Sequence, residues 1–117
     1  MIAFASIACQ SQQDKEAGIE VVSPADFATK MESLDNEILI DVRTPDEWEG
    51  GIIEGAVKIN FFEEDFNAKI QQLDHSKPVF VYCKKGGRSA KAAKKLEEAG
   101  FKTIYDLAGG YDAWSTK

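Results

Sequence analysis

The chain has few cysteine and histidine residues, which form disulfides and bind zinc. Of its 117 residues, two are cysteine, Cys9 and Cys83, and one is histidine. A disulfide framework and a zinc cluster are therefore both excluded, and we predict no metal site. No apolar run approaches the roughly 18 residues of a membrane-spanning helix. The length and a hydrophobic content of 44% predict one domain with an ordinary globular core.

The chain also has a shortage of positive charge, which is unevenly distributed. The formal net charge is −6, from 20 acidic and 14 basic residues. Residues 1–76 contain 16 acids and 5 bases, whereas residues 77–117 contain 4 acids and 9 bases. An acidic body argues against general nucleic-acid binding, while the basic C-terminal third leaves room for a local anion-binding site.

The first nine residues, MIAFASIAC, are small and apolar, and a polar stretch follows them directly. This order resembles the end of a bacterial lipoprotein signal, in which a cysteine, here Cys9, is lipidated and becomes the mature N-terminus. The usual basic segment before the apolar residues is missing, and Ser6 replaces the usual aliphatic residue. Two interpretations of residues 1–18 stay open. They are a signal remnant that anchors the protein in a bacterial cell envelope or periplasm, or the disordered leader of a cytoplasmic protein.

Short apolar runs alternate with helical patterns over residues 19–117. We predict strands at 19–22, 38–42, 57–60, 79–82 and 102–107, and helices at 24–33, 45–49, 63–73, 89–99 and around Trp114. Ser23-Pro24 and Thr44-Pro45 are typical helix starts, because a capping residue precedes proline. The alternation predicts an α/β domain with a five-stranded, mostly parallel sheet and helices on both faces.

Cys83 follows the most apolar strand, which we expect to lie at the centre of the sheet. Ligands of such sheets bind at the carboxyl ends of the strands. A thiol attacks as its thiolate, so neighbouring positive charge favours reactivity by lowering the ordinary thiol pKa of about 8.5. Lys84, Lys85 and Arg88 supply that charge, and a helix beginning near Arg88 or Ser89 points its positive end at the loop.

The two glycines of this loop, Gly86 and Gly87, allow backbone N–H groups to turn inward as an anion-binding nest. The structural alternative is a buried cysteine before a glycine turn and a helix. That alternative does not account for three basic residues in the same seven-residue segment.

Residues 83–89, CKKGGRS, look like the C-x-x-G-x-R-S active-site motif of rhodanese-like domains. Three other segments are similar to further signatures of that family: residues 39–48 (LIDVR followed by EW), 53–60 (IEGAVKIN) and 107–114 (LAGGYDAW). The four segments occur in the family's order, and the resemblance covers about residues 19–115.

The resemblance implies a sulfurtransferase, with Cys83 as the nucleophile and no cofactor. Its thiolate would take the outer sulfur of a small anionic donor such as thiosulfate and hold it as a persulfide. Cyanide in the test tube, or a thiol or sulfur-acceptor protein in the cell, would then remove the sulfur. The residues expected to bind the donor are Lys84, Lys85, Gly86, Gly87, Arg88 and Ser89, with Arg43 as an accessory contact. Ser89 as a helix cap is an open alternative.

Two details qualify this expectation. Four residues separate Cys83 from Arg88, one fewer than in the phosphatases related to this fold, and the shorter loop favours sulfur over phosphate chemistry. The family's second signature usually carries a histidine where this chain has Gly51. This departure lowers the expected turnover rate. A persulfide carrier or binding module without turnover, acting for a partner protein, therefore stays open as an alternative.

A few other residues have structural interpretations. Asp41 and Arg43 are expected to form an ion pair near a strand end. We expect Trp48 and Trp114 to pack in the core or at its edge. His75 precedes Ser-Lys-Pro in a predicted surface turn, so the sequence alone supports no Cys/His pair.

Overall fold

The computed structural model describes residues 15–16 and 18–116. Over these residues, six strands form one sheet: β1 (Lys15–Glu16), β2 (Ile19–Val22), β3 (Ile38–Asp41), β4 (Val57–Lys58), β5 (Val79–Tyr82) and β6 (Ile104–Leu107). Five helices accompany them: α1 (Pro24–Ser33), α2 (Pro45–Trp48), α3 (Phe66–Gln71), α4 (Gly87–Ala99) and α5 (Gly110–Ser115). None of these helices has the length and apolar character needed to cross a membrane. Cys9 and its predicted lipidation lie outside the described residues.

The strands lie in the order β1-β2-β6-β5-β3-β4. The pairs β2–β6, β6–β5, β5–β3 and β3–β4 are all parallel, so the predicted α/β fold with five parallel strands is confirmed. The strand before Cys83, β5, is the middle one of the five, as expected. The sixth strand, β1, is antiparallel to β2 and was not predicted. It consists of two residues within the segment treated as a leader.

The capping signals read from the sequence act as predicted. Ser23 is the N-cap of α1, and its side chain accepts a hydrogen bond from the Asp26 amide at 3.1 Å. Thr44 and Glu47 form a capping box at the start of α2. Five elements are shorter than predicted: β3 and α2 by one residue each, and β4, α3 and β6 by two or more. Helix α4 begins two residues early, at Gly87.

The core lies on both faces of the sheet, with β5 buried between them. Val79 and Val81 belong to the cluster that also contains residues of α3 and α4, whereas Phe80 and Tyr82 belong to the cluster that contains Phe27 of α1. All four β5 side chains are fully buried, which explains the continuous apolar run. Cys83 belongs to the cluster that contains the α4 residues, so its sulfur lies on the face of the sheet that α4 covers.

The tryptophans differ in their packing. Trp114 packs edge-on against Phe27, with ring centroids 6.0 Å apart, as the core interpretation predicts. Trp48 is half-buried, with the Lys58 ammonium 5.6 Å from its ring centroid. The indole N–H of Trp48 is buried without a hydrogen-bond partner.

Candidate active site

Cys83 lies at the carboxyl end of β5, where the chain turns into α4. Its side chain is a free thiol and is almost fully buried, with 1% of its surface exposed. The Gly86 amide donates a hydrogen bond to Sγ at 3.0 Å. Gly86 has a φ of +120°, which side-chain-bearing residues rarely adopt, so this turn requires glycine. This bond supplies one of the inward-facing amides of the predicted nest, and a contribution from the Gly87 amide stays a prediction. Gly87 is already the first residue of α4.

The carbonyl groups of the loop are held on its other side by the start of α5. The Tyr111 amide donates to the Cys83 carbonyl at 2.8 Å, and the Asp112 amide donates to the Lys84 carbonyl at 3.0 Å. These bonds satisfy acceptors that would otherwise compete for the space around the sulfur. The C-terminal signature seen in the sequence therefore serves as a support for the cysteine loop.

The two loop lysines are paired with a carboxylate at the rim of the site. The Lys84 and Lys85 ammonium groups lie 2.9 and 3.1 Å from the Asp112 carboxylate. The hydrogen bonds from Lys84 and Lys85 hold the pKa of the Asp112 carboxyl group below its ordinary value, and Lys84 has the larger effect. All three side chains are at least 38% exposed, so the pairs are weak and can open to admit an anion.

Arg88 is held more firmly than the lysines. Its two terminal nitrogens donate to the two carboxylate oxygens of Glu47 at 2.8 and 2.9 Å, and both side chains are less than one quarter exposed. The hydrogen bonds from Arg88 lower the pKa of Glu47 to about 2, with further help from the Thr44 backbone and hydroxyl. Glu47 therefore neutralises a cation that the sequence assigned to donor binding.

Ser89 is completely buried and lies between the sulfur and a carboxyl group of β6. Its Oγ is 3.5 Å from the Cys83 Sγ and 2.6 Å from Oδ1 of Asp106. The alternative in which Ser89 caps the helix is wrong, because Gly86 is the N-cap residue and Ser89 is the third residue of α4. Its contact with a donor stays a prediction. Asp106 is 4% exposed, and its burial raises its pKa to about 6 despite the hydrogen bond from Ser89. Sequence reasoning missed Asp106.

The predicted ion pair between Asp41 and Arg43 is confirmed and is buried. The Arg43 Nε and Nη2 donate to the Asp41 carboxylate at 2.8 to 3.1 Å, and Nη2 also donates to the Gly51 carbonyl at 2.6 Å. The guanidinium lies over the Tyr82 and Tyr111 rings, 5.6 and 4.4 Å from their centroids. These contacts give Arg43 a structural role. A contact between Arg43 and the substrate stays a prediction.

Gly51, where the family usually has histidine, has a φ of +126°. A Cβ atom built there would lie 2.6 Å from the Tyr111 hydroxyl oxygen. In this chain the Tyr111 hydroxyl therefore occupies the space into which a side chain at position 51 would extend. The histidine of the chain, His75, lies elsewhere. Its ring packs on Phe101 and lies 3.1 Å from the Gln71 carbonyl oxygen.

A cavity of about 400 Å³ opens over the sulfur. Its walls include Phe62, Arg88 and Lys91, and Phe62 is 66% exposed at the rim. A larger cavity of about 610 Å³ lies around Pro78 and Thr103, next to the amino ends of β5 and β6. We assign the candidate site to the smaller cavity, because Cys83, the predicted nucleophile, lines it and it lies at the carboxyl edge of the sheet. Within the described residues, no cluster of three metal-ligating side chains is present.

The fold and the site together define an α/β protein with a buried cysteine that accepts a hydrogen bond from a backbone amide at a helix start. The rhodanese-like domain family model matches residues 23–117, and the chain belongs to that family. The resemblance drawn from the four motifs is thereby confirmed.

Individual relatives agree with this assignment. The chain is 38% identical over 96 residues to "Putative sulfurtransferase YtwF" of Bacillus subtilis, covering 82% of this chain and 90% of that protein. It is 40% identical over 79 residues to YqhL of the same organism, covering 68% of this chain and 61% of YqhL, so the match spans about three fifths of that relative. The crystal structure of a rhodanese-related protein from Thermoplasma volcanium superimposes with a TM-score of 0.71 at 28% identity, covering 82% of this chain and 90% of the other.

Proposed function

We propose that the protein is a sulfurtransferase in which Cys83 carries one sulfur atom as a persulfide. The observation that carries the proposal is the Gly86 amide on Sγ at 3.0 Å, at the start of a 13-residue helix. Both features stabilise a negative sulfur, because the amide donates to it and the helix end is positive. Family membership and the name of the YtwF relative support sulfur transfer as the class of chemistry.

The proposed reaction needs no oxidant and no cofactor. The Cys83 thiolate attacks the outer sulfur of thiosulfate, the sulfur–sulfur bond of the donor breaks, and sulfite leaves with the electron pair. An acceptor thiolate, or cyanide, then attacks the terminal sulfur of the persulfide and releases the Cys83 thiolate. The two half-reactions share one intermediate and are therefore ping-pong.

Donor binding is proposed at the mouth of the cavity. Lys84 and Lys85 can exchange their exposed partner Asp112 for the oxygens of an anionic donor, at small cost. Arg88 contributes less because Glu47 already holds both of its terminal nitrogens. We therefore expect weak binding of small anions. The exposed Phe62 at the rim offers an apolar contact for a thiol-bearing acceptor.

A persulfide carrier that acts for a partner protein is the second candidate. It is favoured by the almost complete burial of Cys83 and by the neutralisation of Arg88, since both limit access by small anions. A carrier would accept sulfur but would not pass it to cyanide. The two functions differ only in the second half-reaction.

Steady-state kinetics with thiosulfate and cyanide test the proposal. We expect parallel lines in double-reciprocal plots, the pattern of a ping-pong reaction, and no activity in Cys83→Ser. Loading without discharge to cyanide would select the carrier. Turnover by Cys83→Ser, or hydrolysis of an aryl phosphate by the native protein, would contradict the assignment of the site.

The location of the protein is proposed from Cys9. Lipidation there would place the domain in a bacterial cell envelope, facing the periplasm, whereas an unmodified leader would leave it in the cytoplasm. Expression of the full chain in bacteria with a labelled fatty acid, beside a Cys9→Ser control, distinguishes the two. Label on the native chain alone supports the envelope, and its absence supports the cytoplasm.

A further inference from the structure

The cations beside the sulfur are already paired, which limits what they offer a donor. Arg88 has the planar group best shaped for an oxyanion, but both of its terminal nitrogens donate to Glu47. Lys84 and Lys85 share the Asp112 carboxylate. The Arg88 pair is therefore neutral, and the two lysines keep one positive charge in excess. This balance suits a singly charged donor better than a dianion such as thiosulfate.

The cavity over the sulfur is large for a small inorganic anion. Its volume of about 400 Å³ lies within the range of about 300–1,000 Å³ that is typical of pockets for organic ligands. Lys91 also lines the wall, but it is exposed, so water and salt screen its attraction for an anion. Affinity for a donor must therefore come largely from apolar contact.

Two adjacent phenylalanines form the apolar wall of this cavity. Phe61 packs against the core and meets Phe62 edge-on, with ring centroids 5.8 Å apart. The Phe61 amide donates to the Val42 carbonyl at 3.1 Å. The Phe62 amide donates to the side-chain oxygen of Asn60 at 2.9 Å. These bonds hold the backbone that places the Phe62 ring at the mouth, although the ring is 66% exposed and adds little to the core.

The apolar wall and the cysteine loop lie side by side. The Arg88 guanidinium carbon is 5.8 Å from the Phe62 ring centroid, and both side chains line the same cavity as Cys83. A donor in this cavity would meet an aromatic ring at one end and a weakly positive loop at its sulfur end. An inorganic anion would use only the second of these contacts.

We propose that the donor is an organic sulfane-sulfur compound with one negative charge, a thiosulfonate or an organic persulfide, and that Phe62 binds its apolar group. This inference rests on the proposed function and names the class of donor. The Cys83 thiolate attacks the terminal sulfur of the donor, and the bond from that sulfur to the rest of the donor breaks. The organic group leaves with the electron pair, as a sulfinate or a thiolate. No oxidant is needed, and the total charge is unchanged.

Three donors separate the effect of charge from that of the apolar group. Thiosulfate is a dianion without an apolar group, methanethiosulfonate is a monoanion with a methyl group, and benzenethiosulfonate is a monoanion with a phenyl ring. The full chain is used with Cys9→Ser, so that Cys83 is its one remaining cysteine. Intact mass follows the rate at which each donor adds one sulfur. Each rate is divided by the rate of the same donor with free cysteine, which removes differences in intrinsic reactivity.

After this correction, benzenethiosulfonate is expected to load Cys83 about tenfold faster than thiosulfate, because a partly buried ring gains about this factor. Methanethiosulfonate should lie between them. Phe62→Ala should slow loading by benzenethiosulfonate about fivefold and leave thiosulfate within about twofold. The matched control is Val21→Ala, which shortens another exposed apolar side chain outside the cavity and should change neither rate.

A second variant tests the contribution of charge. Asp112→Asn releases the two loop lysines, so it should raise the thiosulfate rate about threefold and the benzenethiosulfonate rate less. Its control is Asp74→Asn, which makes the same change of charge outside the cavity and should alter neither rate.

The inference is overturned if thiosulfate, after correction, loads Cys83 as fast as benzenethiosulfonate. It is also overturned if Phe62→Ala slows all three donors alike or leaves the preference for benzenethiosulfonate unchanged. An equal change for all donors in Asp112→Asn would overturn the contribution assigned to charge. Loading by none of the three donors would instead contradict the proposed function itself.

Discussion

Replacing Asp106 by asparagine should stabilise the protein at neutral pH. The side chain is buried in β6 with a hydroxyl partner, and burial raises its pKa from 3.8 to about 6. Above pH 6 the Asp106 carboxylate of the folded protein is therefore ionised in a buried position, which disfavours its negative charge. Asparagine removes this charge and can still hydrogen-bond to Ser89.

The magnitude follows from the two pKa values. The folded protein keeps the Asp106 proton up to about pH 6, whereas the unfolded chain releases it near 3.8. Between these values the folded state binds more protons, so the contribution of this group to stability falls as the pH rises. The full difference is about 3 kcal/mol, at 1.36 kcal/mol per pKa unit. We expect Asp106→Asn to raise the free energy of unfolding by about 2–3 kcal/mol at pH 7.

Urea unfolding of both proteins at pH 7 and at pH 3.5 measures this effect. The gain should be present at pH 7 and close to zero at pH 3.5, because at pH 3.5 the Asp106 carboxyl group is mostly protonated in both the folded and the unfolded state. Only the difference between the two proteins matters, since the other carboxylates titrate equally in both. An equal gain at both pH values, or a loss at pH 7, would refute the electrostatic reasoning.

Substitutions at three other positions test the rest of the site. Arg43→Ala should lower the free energy of unfolding by about 3–5 kcal/mol in urea, because it leaves the buried Asp41 carboxylate without its cation; a loss below about 1 kcal/mol would contradict a buried pair. Gly51→Ala should lower the free energy of unfolding, measured by thermal unfolding, by about 1–3 kcal/mol, because a residue with a side chain is strained at a φ of +126°. For the same reason, restoring the family's histidine with Gly51→His should not raise activity. Glu47→Gln frees Arg88 and should lower the KM for thiosulfate about threefold, with a stability loss of about 1 kcal/mol. An unchanged KM would show that Arg88 does not meet the donor.

Most of the fold is predictable from this sequence because its signals are local. The apolar run of β5 and the alternation of strands with helices predict the parallel sheet, and the Ser-Pro and Thr-Pro pairs predict two helix starts within one residue. The proposed nucleophile can be identified for the same reason. Cys83, Gly86 and Arg88 lie within six residues of one another, so their chemistry is visible as a motif.

The partners of these residues come from distant parts of the chain and were not predictable. Glu47, Asp112 and Asp106 lie 41, 28 and 17 residues from the side chains they bind. Nothing local indicates which carboxylate meets which base. Asp106 did have one signal, because it is an acidic residue inside an apolar strand that ends at the carboxyl edge of the sheet. Similarly, Gly51 looked like a missing histidine, and only the fold shows the Tyr111 hydroxyl beside it.

The central claim is that Cys83 carries one sulfur atom. Intact mass spectrometry after exposure to thiosulfate, followed by peptide mapping without reductant, tests it most directly, with Cys83→Ser as the matched control. We predict an added mass of one sulfur atom on the native protein, located on Cys83, removed by a thiol reductant and absent from the variant. A native protein that gains no sulfur, or a Cys83→Ser variant that gains it equally, would contradict the account.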